Sequence, residues 1–217
     1  MRLSKSWQVR IFFIIWFVIT GFFAKQPFNF LLLNTFLAYI PIEISIDINY
    51  KIINESFLYW PILIIWLLFY PNAPYVLTDL FHLSLLNPYD SLTGLLKLSN
   101  PIWINFMLLV ISAIVCTFVG AWSLSITVQS LMNKLKLKSQ IIRWLLVLIF
   151  TFAASVGIFV GRFLRLHTLY LFLSPRLFIT PLIKMWTPQM LTFTAIMMVI
   201  QIFVYWVIMI NQKNITK

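Results

Sequence analysis

Long apolar runs, each closed by a short polar or proline-bearing stretch, set the pattern of this chain. A membrane-spanning helix needs about 20 mostly apolar residues. Six segments meet or approach that length, at roughly 7–24, 28–44, 57–70, 102–125, 141–161 and 190–210. The first follows Arg2, Lys5 and Arg10 and has the look of a signal-peptide core. Its end, "GFFAKQ", makes a poor cleavage site, so a retained helix is expected. The second carries Asn34 and is expected to break near its end at Pro41. The third, at about 14 residues, is short and would have to tilt or thin the bilayer. No internal repeat is evident. The pattern predicts one all-α transmembrane domain over 1–217, a polytopic bundle of about six spans, with a short interfacial or re-entrant amphipathic helix after the third.

That extra helix is predicted from "YPNAPYVLTDLFHL", residues 70–83. Pro71 lacks an N–H and its ring clashes with the preceding turn, so the third span is expected to stop near Tyr70. Asn72 suits an N-cap and Pro74 the first turn of a new helix, predicted over 73–86. At spacings of three and four, Tyr75, Thr78, Asp79 and His82 share one side, and Val76, Leu77, Leu80, Phe81 and Leu83 fill the rest. The expected product is a polar stripe at the membrane edge. Asp79 and His82 could form a carboxylate–imidazole pair for general-base work. They could also offer two metal ligands, but a catalytic metal wants three and no further ligand is evident, so no metal is expected. The plainer alternative pairs Asp79 with an arginine and leaves His82 as a cap or facing water.

A second passage, "TFAASVGIFVGRFLRLHTLY", residues 151–170, spaces Ala153, Gly157 and Gly161 every four positions. Small residues so placed let another helix approach closely. Arg162 and Arg165 follow on one side of the same helix. Two guanidiniums at that spacing repel unless something negative lies between them. They either snorkel to headgroups or form an anion site, since the Arg fork matches phosphate and carboxylate. The third and fifth spans run in the same direction, which brings Asp79 and the arginines to one face. A charge near the membrane wants a partner, so Asp79 is expected to pair with Arg162 or Arg165.

Composition narrows the class. The chain has 217 residues, 62% hydrophobic and only 10% charged, with a mean hydropathy of +0.96, whereas soluble domains carry about 25% charged residues. A water-soluble fold is excluded. The net charge of +11 is scattered over loops and helix ends with no nucleic-acid-binding pattern, so positive-inside loops and anionic headgroups account for it and no nucleic-acid partner is expected. No nucleotide-binding glycine motif occurs and no cofactor is implied. Cys116, alone in an apolar run, cannot form an intrachain disulfide and is expected to pack as a small hydrophobe. With the N-terminus inside, ten cations fall on the cytoplasmic side (Arg2, Lys5, Arg10, Lys51, Lys134, Lys136, Lys138, Arg143, Lys213, Lys217) and six outside (Lys25, Lys97, Arg162, Arg165, Arg176, Lys184). An N-in, C-in orientation follows, with Glu43, Asp47 and Glu55 placed in an acidic second loop.

The blocks "PNAPYVLTDLFHL" and "GIFVGRFLR", with "NTFLAYIP" at 34–41 and "YD" at Tyr89 and Asp90, resemble the bacterial membrane-protein family catalogued as domain of unknown function 1361. The resemblance spans roughly residues 28–210. In that family the Gly-Arg-Phe-Leu-Arg block is typically followed by Trp-Asn-Ser-Trp-Asp; here the chain reads "LHTLY", with Tyr170 where the acid is usual. The resemblance implies a multi-pass protein of a bacterial plasma membrane and points to the same two motifs; it implies no activity or cofactor.

The function expected from these residues is binding of an anionic lipid or envelope precursor at an outer-face polar site, through Arg162 and Arg165, with Tyr75, Thr78, Asp79 and His82 as further binding candidates and Arg176 and Lys184 beyond. Membrane lipids are the expected partners, and a membrane-protein partner is an option. Three alternatives stand beside it. One is a membrane-embedded hydrolase or transferase using Asp79 and His82, with Thr78 adjacent. Another is a small transporter, for which the spans offer only Asn34, Asn105, Gln201 and a few hydroxyls where ionisable groups are wanted. The last is a structural subunit packed through the Gly157–Gly161 stripe.

Overall fold

The computed structural model describes residues 4–48, 56–165 and 175–215, with side chains omitted at 175–178 and 211–215. Tyr170, Glu55, Arg2, Lys51 and Lys217 lie outside the described residues, as do the side chains of Arg176 and Lys213. Helices α1 (Lys5–Phe23), α2 (Phe30–Ile48), α3 (Tyr59–Phe69) and the single turn α4 (Asn72–Tyr75) lead into a 3₁₀ helix, Val76–Leu86. Then come α5 (Asn100–Lys134), α6 (Gln140–Phe159), a π turn (Val160–Leu164), α7 (Pro175–Lys184) and α8 (Pro188–Ile215). Among the described residues extended pairing is confined to one isolated bridge, Tyr89 to Leu96. Six helical stretches are long and apolar enough to cross a membrane, Tyr59–Leu86 counting as one of them. The chain is an all-α, multi-pass membrane protein.

Two prolines do not do what local rules expect. Pro41 sits inside α2, which runs on to Ile48. Glu43 and Asp47 therefore lie on a helix rather than in an acidic loop. Pro71 is helical (φ −54°, ψ −29°), and the path from Tyr59 continues through it to Leu86. The third crossing is thus 28 residues long and has no need to thin the bilayer. Neither Pro71 nor Pro74 can donate to the helix, so nearby carbonyls need other partners. The Ala73 N–H tightens onto the Tyr70 carbonyl (3.1 Å), and the Asn72 side-chain amide donates to the Phe69 carbonyl (2.9 Å). Asn72 is therefore a patch on a kinked helix, not the N-cap of a new one. Past the kink the winding tightens to 3₁₀, the usual adjustment where α hydrogen bonds are lost.

The bundle packs about α5, which touches α2, the 3₁₀ helix, α6 and α8. Its 35 residues reach about 52 Å at 1.5 Å per residue, beyond the roughly 30 Å hydrocarbon layer. Apolar surface gives little net drive between helices in lipid, so small residues and polar bridges hold such bundles. Trp16 Nε1 donates to Ser112 Oγ (2.9 Å). Trp66 Nε1 donates to Ser123 Oγ (3.0 Å), which passes its own proton to the Pro41 carbonyl (3.1 Å), joining three helices. Gln201 Nε2 donates to Ser155 Oγ (2.9 Å) and ties α8 to α6. Cys116 is buried in an apolar cluster with Phe13, Ala38 and Ile42.

Candidate functional site

Glycine decides how the proline kink is seated. A Cβ on Gly157 of α6 would lie 2.7 Å and 2.9 Å from the Pro71 ring, and one on Gly120 of α5 would lie 2.7 Å from Ala73 Cβ. The Pro-Asn-Ala-Pro block is clamped between two glycines on two helices. Gly161 meets the Tyr75 ring with more room, at 3.5 Å. The small-residue stripe expected on α6 is thus a contact face for this kink. Gly120, its counterpart on α5, carries no sequence signal beyond a lone glycine in an apolar run.

The clamp sets the pose of the helix beyond it. Thr78 and Asp79 turn inward, Asp79 with only 1% of its surface exposed, while Phe81 and Leu85 face outward. Asp79 lies against Arg162 of the π turn, Oδ1 to Nη1 at 3.3 Å. The pair expected from topology forms with Arg162. Asn34 of α2 supplies the other hold, its amide donating to Asp79 Oδ2 (2.7 Å). Asn34 stands out in sequence only as a polar residue within an apolar run. Arg162 also donates to the Tyr75 hydroxyl (3.3 Å) and, closely, to the Thr78 carbonyl, and its guanidinium lies 5.3 Å from the Tyr75 ring centre. Thr78 spends its hydroxyl on the Tyr75 carbonyl (2.7 Å).

Two features of this cluster are unfinished. Asp79 Oδ1 is buried without a hydrogen bond, its neighbours being Arg162 Nη1 and, at 3.9 Å, His82 Nδ1. Arg165 ends the π turn in the left-handed region (φ 51°), exposed, and has no partner among the described residues. π turns cost helix geometry and recur at functional sites.

Between the 3₁₀ helix, the π turn and α8 opens a crevice of about 660 Å³. Tyr75, Thr78, His82, Ser84, Arg162 and Arg165 supply its polar lining, and Phe81, Leu85, Gly161, Phe163 and Phe193 the rest. Phe163 and Phe193 meet edge to face at 5.1 Å, closing the α8 side. Asp79 lies behind this lining and acts on the crevice through Arg162. Pro71, Asn72, Pro74 and Gly157 are scaffold rather than lining. His82 Nδ1 is 3.0 Å from the Asp79 carbonyl. A carbonyl only accepts, so a neutral His82 carries its proton on Nδ1 and leaves Nε2 as an acceptor. Its ring rests on Phe30 at 4.3 Å. The volume, apolar walls and few converging polar groups suit one end of an amphipathic molecule.

A family model described as protein of unknown function (DUF1361) matches residues 33–204. That stretch contains the kink, both arginines and Asn34. No curated protein and no solved structure matches the chain.

Proposed function

The chain belongs to the family of domain of unknown function 1361, and we propose that it binds the anionic head of a lipid, or of a lipid-linked envelope precursor, in the crevice between Arg162 and Arg165. The observation that carries this is the division of labour between the two arginines. Arg162 is locked by a buried carboxylate, a hydroxyl and a carbonyl, while Arg165 lines the same crevice without a partner among the described residues. A fixed guanidinium beside a free one offers a preoriented fork to phosphate or carboxylate. The phenylalanine walls suit the apolar part of the same ligand. Lys184 is exposed on α7 and adds to the positive field at this end. The Lys134–Lys138 cluster lies at the opposite end of α5, so by the positive-inside rule the crevice opens on the outer face of the plasma membrane, both termini being cytoplasmic.

Native mass spectrometry of the detergent-purified protein tests the proposal. The wild type should retain a defined anionic lipid, and Arg165→Ala should weaken that retention about tenfold to a hundredfold, the equivalent of one charged hydrogen bond of roughly 1.5–3 kcal/mol. Equal release of bulk lipid from both proteins would sink it.

A second use of the crevice is favoured by one observation, the free Nε2 of His82. A phosphate held by the arginines would sit near this nitrogen, which can accept a proton from water or an alcohol whenever the ring is unprotonated. Under that hydrolase or transferase alternative His82→Ala abolishes turnover and leaves lipid retention intact; under binding alone neither changes.

A further inference from the structure

The loop at residues 87–99, between the 3₁₀ helix and α5, exposes an unusual number of large apolar side chains for a segment facing water. Its Asp90 carboxylate and much of its backbone are bonded within the loop itself. Asp90 Oδ1 accepts from the Leu92 and Thr93 N–H groups (both 3.0 Å) and the Thr93 hydroxyl (3.1 Å). The Asp90 N–H reaches the Leu95 carbonyl (2.9 Å), Gly94 N–H the Asp90 carbonyl (2.9 Å), and Lys97 N–H the Pro88 carbonyl (2.8 Å). Left-handed Asn87 and Gly94 turn the chain. Beside the exposed polar side chains of Asn87, Ser91, Thr93 and Lys97, five large side chains of apolar or aromatic character point outward: Leu92 is 94% and Leu98 97% exposed, with Leu95, Leu96 and Tyr89 also uncovered.

Surface loops ordinarily expose fewer large apolar side chains and leave more backbone groups to water. Irregular backbone tolerates an apolar medium only when its own donors and acceptors are engaged, as many are here. We propose that this loop inserts its leucines into the lipid leaflet at the mouth of the crevice. The medium is chosen by continuity. On one side the loop follows Phe81 and Leu85, and on the other it precedes Trp103 and Phe106, all exposed on helices that cross the membrane. The leucines lie between these two exposed apolar stretches and join them. Tyr89 and Lys97 have the chemistry of an interfacial rim, an aromatic ring and a cation at headgroup level. Asp90, folded against its own backbone, stays at that level too. Leucine insertion roughly 5–10 Å below the headgroups follows, as for other interfacial segments.

Cysteine labelling of the full chain tests the insertion, because Cys116 is buried and the engineered thiols are exposed. Leu92→Cys and Leu98→Cys would each carry a small environment-sensitive fluorophore in phosphatidylcholine vesicles. Ile196→Cys on the lipid-facing side of α8 and Lys138→Cys in the α5–α6 loop serve as lipid and water references, both positions being exposed. Brominated acyl chains should quench the two loop sites as strongly as Ile196 and several-fold more than Lys138, with aqueous iodide giving the opposite order. Iodide quenching equal to that at Lys138 overturns the proposal in favour of a water-facing loop. Protection from both quenchers overturns it in favour of a covering protein. Leu95→Cys replaces either site if a variant fails to purify as a monodisperse species.

Discussion

The bundle carries an arginine–carboxylate pair near each end, and the two are built differently. At the N-terminal end Arg10 reaches Glu43 through Nε, 2.9 Å from Oε1 and 3.2 Å from Oε2, and through Nη2. The Tyr39 hydroxyl completes Glu43 Oε2. Both partners keep some contact with the surroundings, at 21% and 29% exposure. At the other end Asp79 is sealed, Arg162 touches it by one nitrogen, and one carboxylate oxygen has no hydrogen bond. In the first pair every carboxylate oxygen is engaged; beside the second lies a crevice whose other guanidinium, Arg165, has no partner among the described residues. A finished pair staples two helices. A pair left incomplete next to open space holds one group in a fixed pose for something else to use.

The comparison breaks first at Arg162. Removing one member of a buried pair leaves the other charged and uncompensated, which costs about 3–5 kcal/mol. Arg162→Ala should therefore destabilise the protein by that amount in a denaturation titration in mixed micelles. Asp79→Asn/Arg162→Met, which keeps an acceptor for Asn34 and removes both charges, should recover much of the loss. A loss under 1 kcal/mol for Arg162→Ala would mean that Asp79 is already neutral or solvated, and the two ends would then be alike.

The next effect separates the ends by their dependence on the kink. Gly157→Ala places a methyl within 2.7 Å of the Pro71 ring, and Gly120→Ala does the same to Ala73. Overpacking of this kind costs about 1–3 kcal/mol. Because the kink aims Tyr75, Thr78 and Asp79, either substitution should weaken lipid retention at the crevice as well as stability. Gly161→Ala, whose methyl would meet the Tyr75 ring at an ordinary contact distance of 3.5 Å, should leave both nearly unchanged.

This dependence also explains what was legible in the sequence. The six crossings were, because an apolar run of spanning length has few other uses in a chain this poor in charge. The Asp79–Arg162 pair was, because a lone charge at that depth needs a partner and topology offered only two. The continuation through Pro71 was not. Local rules see two missing N–H donors and end the helix; Asn72, Ala73 and two distant glycines repair it, and three of those four act through the tertiary fold or through unexpected bonds. Pro41 misleads in the same way. The polar stripe of Tyr75, Thr78, Asp79 and His82 was visible as a stripe, but its direction was not. Facing inward, it needs the π turn and Asn34 opposite it, and spacing on one helix cannot reveal a neighbour.

At the finished end the effect is small. Glu43→Gln removes a charge from a partly exposed pair while keeping an acceptor for Arg10, and such pairs are worth about 0–1 kcal/mol. A drop within that range, with crevice retention unchanged, would mark Arg10–Glu43 as a staple. A loss as large as that of Arg162→Ala would erase the distinction drawn between the two ends.

The smallest effect concerns pH, at a third acid on the crevice side. Hydrogen bonds from the Thr93 and Leu92 N–H groups and the Thr93 hydroxyl hold the Asp90 carboxyl below the ordinary Asp value of 3.8. A folded value lower than the unfolded one means the ionised form favours the folded loop. That contribution is complete above the ordinary value and fades as pH falls through the lower, folded one. Hydrogen exchange at the Leu92 and Thr93 amides should therefore be slow at neutral pH and, after correction for intrinsic rates, lose protection only in strong acid. Asp90→Asn should exchange faster at neutral pH and lose that dependence. Unlike Arg10–Glu43 or Asp79–Arg162, this acid is held chiefly by hydrogen bonds within its own loop, the Lys97 charge adding least. If its variant loosens the loop and also weakens retention in the crevice, the leucines above it help to bring the lipid in; if retention is untouched, the arginines hold the headgroup without them.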